Sequence, residues 1–206
     1  GKRRDESDIY GADDRGYHSV SPFVFGEPLR RRALELLVDL GLNVKYGHSE
    51  VGYIEAREPD GVIWEQHEIE LGLETLPRAA EAVLLTQWVL RNLAHQNGMR
   101  CSTEPIMAEG HAGNGLHFHL APARNGKLTP VRETGGSLSD PARWLIGGLV
   151  QTGAALMAFG NRAQGSLTRL TQAKEAPNRI TWGEYDRSAL IRLPAQAMDS
   201  RGRPVN

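Results

Sequence analysis

The sequence has almost no cysteine, no long hydrophobic run and no excess of charge of either sign. Its one cysteine, Cys101, excludes an internal disulfide framework. No apolar stretch is long enough to span a bilayer and no secretory leader is recognisable, so we expect a cytoplasmic protein with no membrane partner. The 24 Lys and Arg residues nearly balance the 25 Asp and Glu residues, and this balance predicts no nucleic-acid partner.

The common glycine-rich phosphate loops are also missing. Neither GxxxxGK[ST] nor GxGxxG follows a strand-like segment, so any nucleotide must be bound by another architecture. The chain has 206 residues, of which 40% are hydrophobic and 24% charged. This composition is typical of a globular protein with one large domain or two small ones.

Apolar residues at three- and four-residue spacing predict three long helices. The first covers residues 28–39, the second follows an N-cap at Thr75 and stops at Gly98, and the third covers 139–160. We expect the second helix to cover a sheet with one apolar stripe, formed by Ala80, Val83, Leu84, Trp88, Leu90 and Leu93.

Four segments have the character of strands. Residues 43–57 and 61–71 are joined by the turn signal EPDG and predict a hairpin, and residues 100–108 and 115–123 predict two more strands. A long loop and short strands should follow the third helix. Residues 1–16 form a polar lead-in. Together these elements predict an α+β fold, with a mainly antiparallel sheet and helices packed on one face.

The predicted hairpin gathers acidic side chains. Side chains alternate along a strand, so Glu68 and Glu70 share a face in the second strand, while His48 and Glu50 share one in the first. Glu50 and Glu68 repel each other at short range unless a cation lies between them. Carboxylates with one imidazole suit Mg²⁺ or Mn²⁺ better than Zn²⁺. The alternative is a solvated face of the sheet that binds nothing.

Two further groups of residues are candidates for a binding site, one containing histidines and the other containing arginines. The segment GNGLHFHLAP would place Leu116, Phe118 and Leu120 on one face of a strand, with His117 and His119 on the other. A pair of histidines in the core or on the surface is the alternative reading.

Four arginines follow between residues 169 and 192, and the guanidinium fork of arginine matches carboxylate and phosphate groups. Surface ion pairs are the alternative. These arginines are Arg169, Arg179, Arg187 and Arg192.

The order of the motifs resembles that of one enzyme family. HSEV, EQHEIEL, GNGLHFHL, TRL with EAP, and TWGEYDRSALIRLP follow one another as in the catalytic domain of the glutamine synthetase family. The resemblance extends over residues 17–194, so 17–206 would be a partial catalytic domain. The last motif is the most specific. By resemblance, this implies the α+β fold of that family.

The resemblance implies a binding site for two divalent ions, Mg²⁺ or Mn²⁺. Glu50 and Glu68 match the two glutamates that help to hold the first ion, near the amino-acid substrate. His117 matches the histidine that binds the second ion, beside the nucleotide phosphates.

It also implies contacts with the substrates. Gly113 matches backbone that receives the amino acid, and Arg169 matches the arginine that grips the glutamate carboxylate. His119 matches a family residue that lies beside the phosphates of ATP. Arg187 and Arg192 resemble the arginines that stabilise the transferred phosphate and the nucleotide, so Arg187 is also a catalytic candidate.

The implied reaction is ATP-dependent ligation of ammonia to glutamate through γ-glutamyl phosphate, with ATP as co-substrate. Glu175 matches the catalytic flap glutamate that closes over the ammonium site. Another amine, such as a polyamine, could replace ammonia, since Lys174 stands where the family has an aromatic residue. The family assembles into rings, which implies a homo-oligomer for the full-length protein.

Other functions remain open. The sequence contains neither the family's small N-terminal domain nor its Glu-x-Glu and Glu-x-Arg strands, so we expect this chain on its own to be inactive. A catalytically silent relative that binds a ligand or a partner is one alternative. A guanidino-phosphotransferase is another, although the EAP flap and the two carboxylate strands argue against it.

Overall fold

The computed structural model describes residues 1–3, 17–55, 61–133, 136–171, 176–193, 197–198 and 204–205. Two compact units are formed, Gly1–Asn114 and Gly115–Asn206. The predicted α+β class is confirmed. Most of the predicted polar lead-in, residues 4–16, lies outside the described residues. Within the part that is described, no helix has the length and apolarity needed to cross a bilayer.

Two helices build the core of the first unit. Helix α1, Glu27–Asp39, has a proline in its first turn, and the chain leaves it through Gly41, whose φ of 79° suits glycine. Helix α2 is Leu76–Gln96, with Thr75 as N-cap as predicted. Ala33 and Leu37 of α1 pack against Val89 and Leu93 of α2.

Of the predicted stripe of α2, Leu93 is buried and Leu90 packs partly buried against the core, whereas the prediction is wrong for Leu84 and Trp88. Leu84 and Trp88 are 68% and 60% exposed, and Leu90 is only partly buried. The helix is apolar on more than one face, so periodicity alone did not choose between the stripes. The stripe that packs includes small residues, which allow α1 to come close. Its members are Ala82, Thr86, Val89, Leu93 and Ala94.

The predicted hairpin is confirmed. Strand β2, Val44–Ile54, pairs antiparallel with β3, Val62–Leu71. Strand β1, Lys2–Arg3, pairs with the other edge of β3, which gives the order β1-β3-β2. Ile69 packs against the helical core, so the opposite face of β3 carries Glu68. The hairpin therefore has one face on the helices and one that is free for polar side chains.

The second unit is assembled from short elements. Its helices are α3, Asp140–Gln151, α4, Gly153–Gly160, and α5, Gly165–Thr171. Its strands form three pairs: β4, Ala123–Arg124, with β5, Lys127–Leu128; β6, Arg179–Gly183, with β7, Ala189–Arg192; and β8, Ala197–Met198, with β9, Pro204–Val205. The β6–β7 pair is parallel, whereas the other pairs are antiparallel.

Several predicted elements of the later chain are wrong. Residues 100–122 contain no strand, so the predicted strands at 100–108 and 115–123 are not formed. The helix predicted at 139–160 is two helices that meet at Thr152, although Ser139 does cap the first by accepting the Ala142 N–H. Helix α5 lies where we expected a loop.

The break at Thr152 has a packing cause. Gly153 is buried at the start of α4, and a Cβ atom there would overlap the side chain of Ile180 in β6. The second helix begins where the chain passes this close to the strand. This contact with β6 cannot be predicted from the apolar periodicity of residues 139–160.

Candidate functional site

Strand pairing brings the imidazole of His48 and two carboxylates together. His48 lies directly opposite Glu68 in the β2–β3 register, and Glu50 lies two residues further along β2 on the same face. His48 Nε2 is 3.8 Å from a carboxylate oxygen of Glu68, and His48 Nδ1 is 3.9 Å from one of Glu50. One ligand atom from each of the three residues lies within 4.8 Å of the others. We call these three residues the hairpin cluster.

The imidazole of His48 is held in a defined orientation. It is buried, and its Nδ1 lies 3.0 Å from the carbonyl oxygen of Ser49. That oxygen can only accept a hydrogen bond, so Nδ1 carries the proton and the Nε2 of the neutral ring carries a lone pair. The lone pair is thus on the nitrogen nearer to Glu68. This is the tautomer that a metal ligand requires.

Aromatic rings surround His48. The ring of His18 stacks on it with centroids 4.1 Å apart, and the ring of Tyr46 stacks at 5.7 Å. Tyr17 makes an edge contact at 5.0 Å. These contacts restrict rotation of the imidazole.

The segment that carries Tyr17 and His18 is tied to β2. The His18 N–H donates to the carbonyl oxygen of Ser49 at 3.1 Å, and the Ser49 hydroxyl donates to the carbonyl oxygen of Ser19 at 2.7 Å. His18 has a φ of 64°, which is uncommon for a residue with a side chain. These two hydrogen bonds, from the His18 N–H and to the Ser19 carbonyl oxygen, hold this segment on β2, and the ring of His18 is thereby kept over His48.

The electrostatics of the hairpin cluster favour a cation. Burial raises the pKa of the Glu50 carboxyl, and the nearby Glu68 carboxylate raises it further, although the Val51 N–H donates to Glu50 and opposes the rise. Two carboxylates and a neutral imidazole nitrogen are a donor set that divalent ions accept. The residues present therefore fit a divalent metal ion, and a bound ion would relieve the repulsion between the two carboxylates.

A buried network supports the hairpin from the helix side. Arg30 of α1 donates to His67 Nδ1 at 2.7 Å, and His67 Nε2 lies 3.3 Å from the Glu65 carboxylate. That carboxylate also accepts the N–H groups of Phe25 and Gly26 at the start of α1. Burial lowers the pKa of Arg30. The network attaches α1 to the strand that carries Glu68.

The backbone at Gly113 is held by Gln66 of β3. The Gln66 side-chain amide donates to the carbonyl oxygen of Gly113 at 2.8 Å and to Oδ1 of Asn114 at 2.9 Å. Asn114 in turn donates to the carbonyl oxygen of Glu104. The predicted amino-acid contact therefore lies on a loop that is attached to the same strand as Glu68.

In the second unit, His117 and Arg169 converge on Gly115. A Cβ atom at Gly115 would lie 2.7 Å from His117 Nε2 and 2.9 Å from Arg169 Nη2, so the ends of both side chains lie close to Gly115 and would have to shift for a larger residue. Burial lowers the pKa of Arg169, which is half-buried. Among the described residues, its Nε has no hydrogen-bond partner. A partly buried guanidinium with an unused donor suits an anionic ligand.

The alternation that we predicted for residues 116–120 is wrong. Leu116, Phe118 and Leu120 are 60%, 64% and 43% exposed, and His119 is exposed as well. The segment is not a strand, so these side chains do not divide into a core face and a histidine face. His117 and His119 stay candidates from the resemblance, and His117 has the additional contact at Gly115.

The remaining arginines lie on the β6–β7 pair. Arg187 is exposed in the turn that precedes β7, and Arg192 is the last residue of β7. Arg179 begins β6 and is bound to Asp186 and Ser188. Glu175, the predicted flap glutamate, lies outside the described residues.

The structure thus brings together Glu50 with Glu68, and His117 with Arg169, each pair within its own unit. Two residues that matter for this arrangement were missed as site residues: His48, which the alternation placed beside Glu50, and Gln66, which the alternation placed beside Glu68. The roles of all of these residues remain predictions.

Comparison with known proteins identifies the family. The family model described as "Glutamine synthetase, catalytic domain" matches residues 3–203. The glutamine synthetase of Pseudomonas taetrolens is 32% identical over 190 residues, and that of Methylococcus capsulatus is 34% identical over 190. In both cases the match covers 92% of this chain and 38% of the relative, so the chain spans less than two fifths of the length of these proteins.

A solved structure agrees on the fold. The cryo-EM structure of Plasmodium falciparum glutamine synthetase superposes with a TM-score of 0.76, at 24% identity, over 92% of this chain and 34% of that one. At this identity the likeness concerns the fold. The match to the family model extends over nearly the whole sequence. The chain therefore belongs to the glutamine synthetase family, as part of its catalytic domain.

Proposed function

We propose that the full-length protein containing this chain is an ATP-dependent ligase that joins ammonia to the γ-carboxylate of glutamate. The observation that carries the proposal is the hairpin cluster of His48, Glu50 and Glu68, which places two carboxylates and an oriented imidazole nitrogen within 4.8 Å of one another. Family membership supplies the reaction class, and the chain's own residues supply the groups that such a reaction needs.

The first step transfers the γ-phosphoryl group of ATP to glutamate. An oxygen of the γ-carboxylate attacks the γ-phosphorus, and the bond from that phosphorus to the ADP oxygen breaks. An Mg²⁺ or Mn²⁺ ion held by the hairpin cluster would supply positive charge to the phosphoryl oxygens. In our proposal Glu50, Glu68 and His48 hold one ion, and His117 belongs to the site of a second.

Arginines stabilise the charge that develops on the phosphoryl oxygens. Arg187 and Arg192 present guanidinium groups near the start and at the end of β7, and such donors typically change the barrier by about 3 kcal/mol each. We assign Arg169 to the glutamate carboxylate, because its guanidinium is half-buried and its buried Nε has no hydrogen-bond partner among the described residues. Gly113 offers backbone to the amino group of the substrate, and His119 lies toward the nucleotide.

In the second step the nitrogen of ammonia attacks the carbonyl carbon of γ-glutamyl phosphate, and the bond from that carbon to the phosphate oxygen breaks. The products are glutamine and inorganic phosphate. Glu175 would stabilise the ammonium ion and keep water out, as the family resemblance implies. Assembly into a homo-oligomer and a cytoplasmic location belong to the same proposal.

Hydroxamate formation by the full-length protein tests this function. Glutamate, ATP and hydroxylamine should give γ-glutamyl hydroxamate only when Mg²⁺ or Mn²⁺ is present. Glu68→Gln should lower the rate at least 100-fold, since one ligand charge is lost. Glu70→Gln is the matched control, because Glu70 lies on the same face of β3 outside the hairpin cluster and pairs with Lys45.

The outcome also separates the alternatives. Product with larger amines but little with ammonia would indicate a γ-glutamyl-amine ligase. No product with any amine, together with retained metal binding, would favour a silent family member that binds ligands. The described chain by itself should show little or no turnover.

A further inference from the structure

The β6–β7 pair has a feature that is unusual for parallel strands. Arg179 lies opposite Ala189 and Gly183 opposite Arg192, so the strands run the same way. Parallel neighbours normally need a crossover of about a dozen residues or more. Here only residues 184–188 join them. This connection must carry the chain back along β6, a distance of roughly 13 Å at about 3.3 Å per residue.

A side-chain network closes this short return. Arg179, at the start of β6, donates from Nη2 to Asp186 Oδ2 at 2.7 Å and to Ser188 Oγ at 2.6 Å, and from Nε to Ser188 Oγ at 3.1 Å. Asp186 Oδ1 accepts the Ser188 N–H at 2.9 Å and the Ser188 hydroxyl at 2.6 Å. We call these three residues the return clamp.

Backbone hydrogen bonds complete the clamp. The N–H groups of Asn178 and Arg179 both donate to the carbonyl oxygen of Ser188, at 3.0 and 3.1 Å. The Ala189 N–H donates to the carbonyl oxygen of Asp186 at 3.2 Å. The end of the return loop is therefore fixed beside the first residue of β6, from which β7 can start in parallel.

Arg187 lies between the two clamped residues of the loop. Its neighbours Asp186 and Ser188 have their side chains turned toward Arg179, while the side chain of Arg187 is exposed. In the part of the chain that the structure describes, no hydrogen bond or ion pair is found for the Arg187 guanidinium. The clamp thus orders the backbone of Arg187 and leaves its side chain available.

Stability alone gives little reason for such a clamp. The side chains of Arg179 and Asp186 are 63% and 39% exposed, and ion pairs this accessible typically contribute less than about 1 kcal/mol. Because these hydrogen bonds contribute little to stability, we infer that their role is to fix the geometry of the loop. What the clamp fixes is the position of Arg187.

We propose that Asp186, with Arg179 and Ser188, is a positioning residue that holds Arg187 in place for the transferred phosphate. The inference rests on the proposed function, because it takes Arg187 as the group that contacts phosphate. It adds three residues that the sequence did not single out for this role. Arg179 was predicted as one of four anion-binding arginines, and here it acts through the loop instead.

The test uses substitutions in the full-length protein. Asp186→Ala removes both carboxylate acceptors of the clamp and leaves the Ser188 oxygens, whereas Asp186→Asn keeps Oδ1 for Ser188 and weakens only the ion pair with Arg179. Glu184→Ala is the matched control: it lies in the same loop and removes an exposed ion pair with Arg132, without touching the clamp.

We expect Asp186→Ala to lower kcat about tenfold, less than the 100-fold or greater loss for Arg187→Ala, with KM for glutamate unchanged. Asp186→Asn should stay within about threefold of wild type and Glu184→Ala should equal it. In the double variant Asp186→Ala with Arg187→Ala, the loss should equal that of Arg187→Ala alone, because the clamp acts only through Arg187.

Three results would contradict the proposal. One is an Asp186→Ala variant as active as Glu184→Ala while Arg187→Ala is inactive. The second is a double variant whose loss is the product of the two single losses. If Asp186→Ala does not fold, Arg179→Ala decides, and wild-type activity there overturns the inference. An Arg187→Ala variant with wild-type activity would instead disprove the assigned role of Arg187 in the proposed function.

Discussion

His48 Nε2 faces the carboxylate of Glu68 across the β2–β3 hairpin at 3.8 Å, and the proton of the neutral ring is on Nδ1, which donates to the Ser49 carbonyl oxygen. In the neutral ring the Nε2 lone pair is thus directed at the Glu68 carboxylate, and a cation between the two would relieve their repulsion. The hairpin therefore has the donors of a metal site whose orientation is set before any ion binds.

This geometry predicts a specific loss on removal of His48. His48→Ala should weaken Mn²⁺ binding about tenfold or more, because a ligand nitrogen and its orientation are removed together. Mn²⁺ binding can be followed by electron paramagnetic resonance, in which coupling to the ligand nitrogen should disappear with the imidazole. His95→Ala, on the exposed side of α2, is the control and should bind Mn²⁺ like the wild type. Equal affinity in the two variants would remove His48 from the site.

The raised pKa of Glu50 predicts how stability depends on pH. Burial and the Glu68 carboxylate raise this pKa above its usual 4.5 in the folded protein, so between 4.5 and the raised value the folded state binds more protons than the unfolded state. Across that interval, rising pH lowers the free energy of unfolding of the metal-free protein through this group.

Comparison with Glu50→Gln isolates this contribution. The variant lacks the titrating group, so its stability relative to wild type should increase as pH rises through the interval. Urea denaturation of both proteins in chelator, from pH 4 to 7, measures the difference between their free energies of unfolding. With excess Mg²⁺ or Mn²⁺ the sign of this pH dependence should be reversed, so that wild type gains stability relative to the variant as pH rises. A difference that does not change with pH would mean that Glu50 is not perturbed.

The hairpin and its cluster could be predicted because the rules involved are local. Alternation along a strand and the EPDG turn suffice to place Glu50 near Glu68. The identity of the ligand nitrogen could not be predicted in the same way, because the tautomer of His48 depends on the Ser49 carbonyl and on His18, some thirty residues away. Local patterns therefore predict the strands of the hairpin, whereas the tautomer of His48 depends on contacts with residues distant in the sequence.

The failures have a common physical origin. The buried face of α2 was misidentified because the helix is apolar on several sides, and the stripe that is buried includes the small side chains of Ala82 and Thr86. Residues 115–120 alternate like a strand but pair with no other segment that the structure describes, and their apolar side chains are exposed. In both cases tertiary contacts decided between options that the sequence leaves equal.

Gly115 is predicted to be essential for the pairing of His117 with Arg169. Gly115→Ala would bring a methyl group to within 2.7 Å of His117 Nε2 and 2.9 Å of Arg169 Nη2, so both side-chain ends must move. Under the proposed function we expect KM for glutamate to rise about tenfold, or 1.4 kcal/mol, with little change in unfolding. Isothermal titration with glutamate measures the effect directly. Unchanged affinity would show that Arg169 does not bind the substrate.

Two glycines of the second unit make a matched pair for stability. Gly147 lies within α3 with no atom within 4 Å of a Cβ built on it, whereas a Cβ on Gly153 would overlap Ile180. Gly147→Ala should stabilise the protein by about 0.5–1 kcal/mol, because alanine loses less backbone entropy in a helix. Gly153→Ala should destabilise it by about 1–3 kcal/mol through overpacking.

Thermal or urea unfolding of the two variants checks the signs. Both substitutions add the same methyl group to a helical position, so opposite signs can come only from the surroundings of the two sites. If Gly153→Ala were as stable as Gly147→Ala, the start of α4 would not be held against the Ile180 side chain of β6.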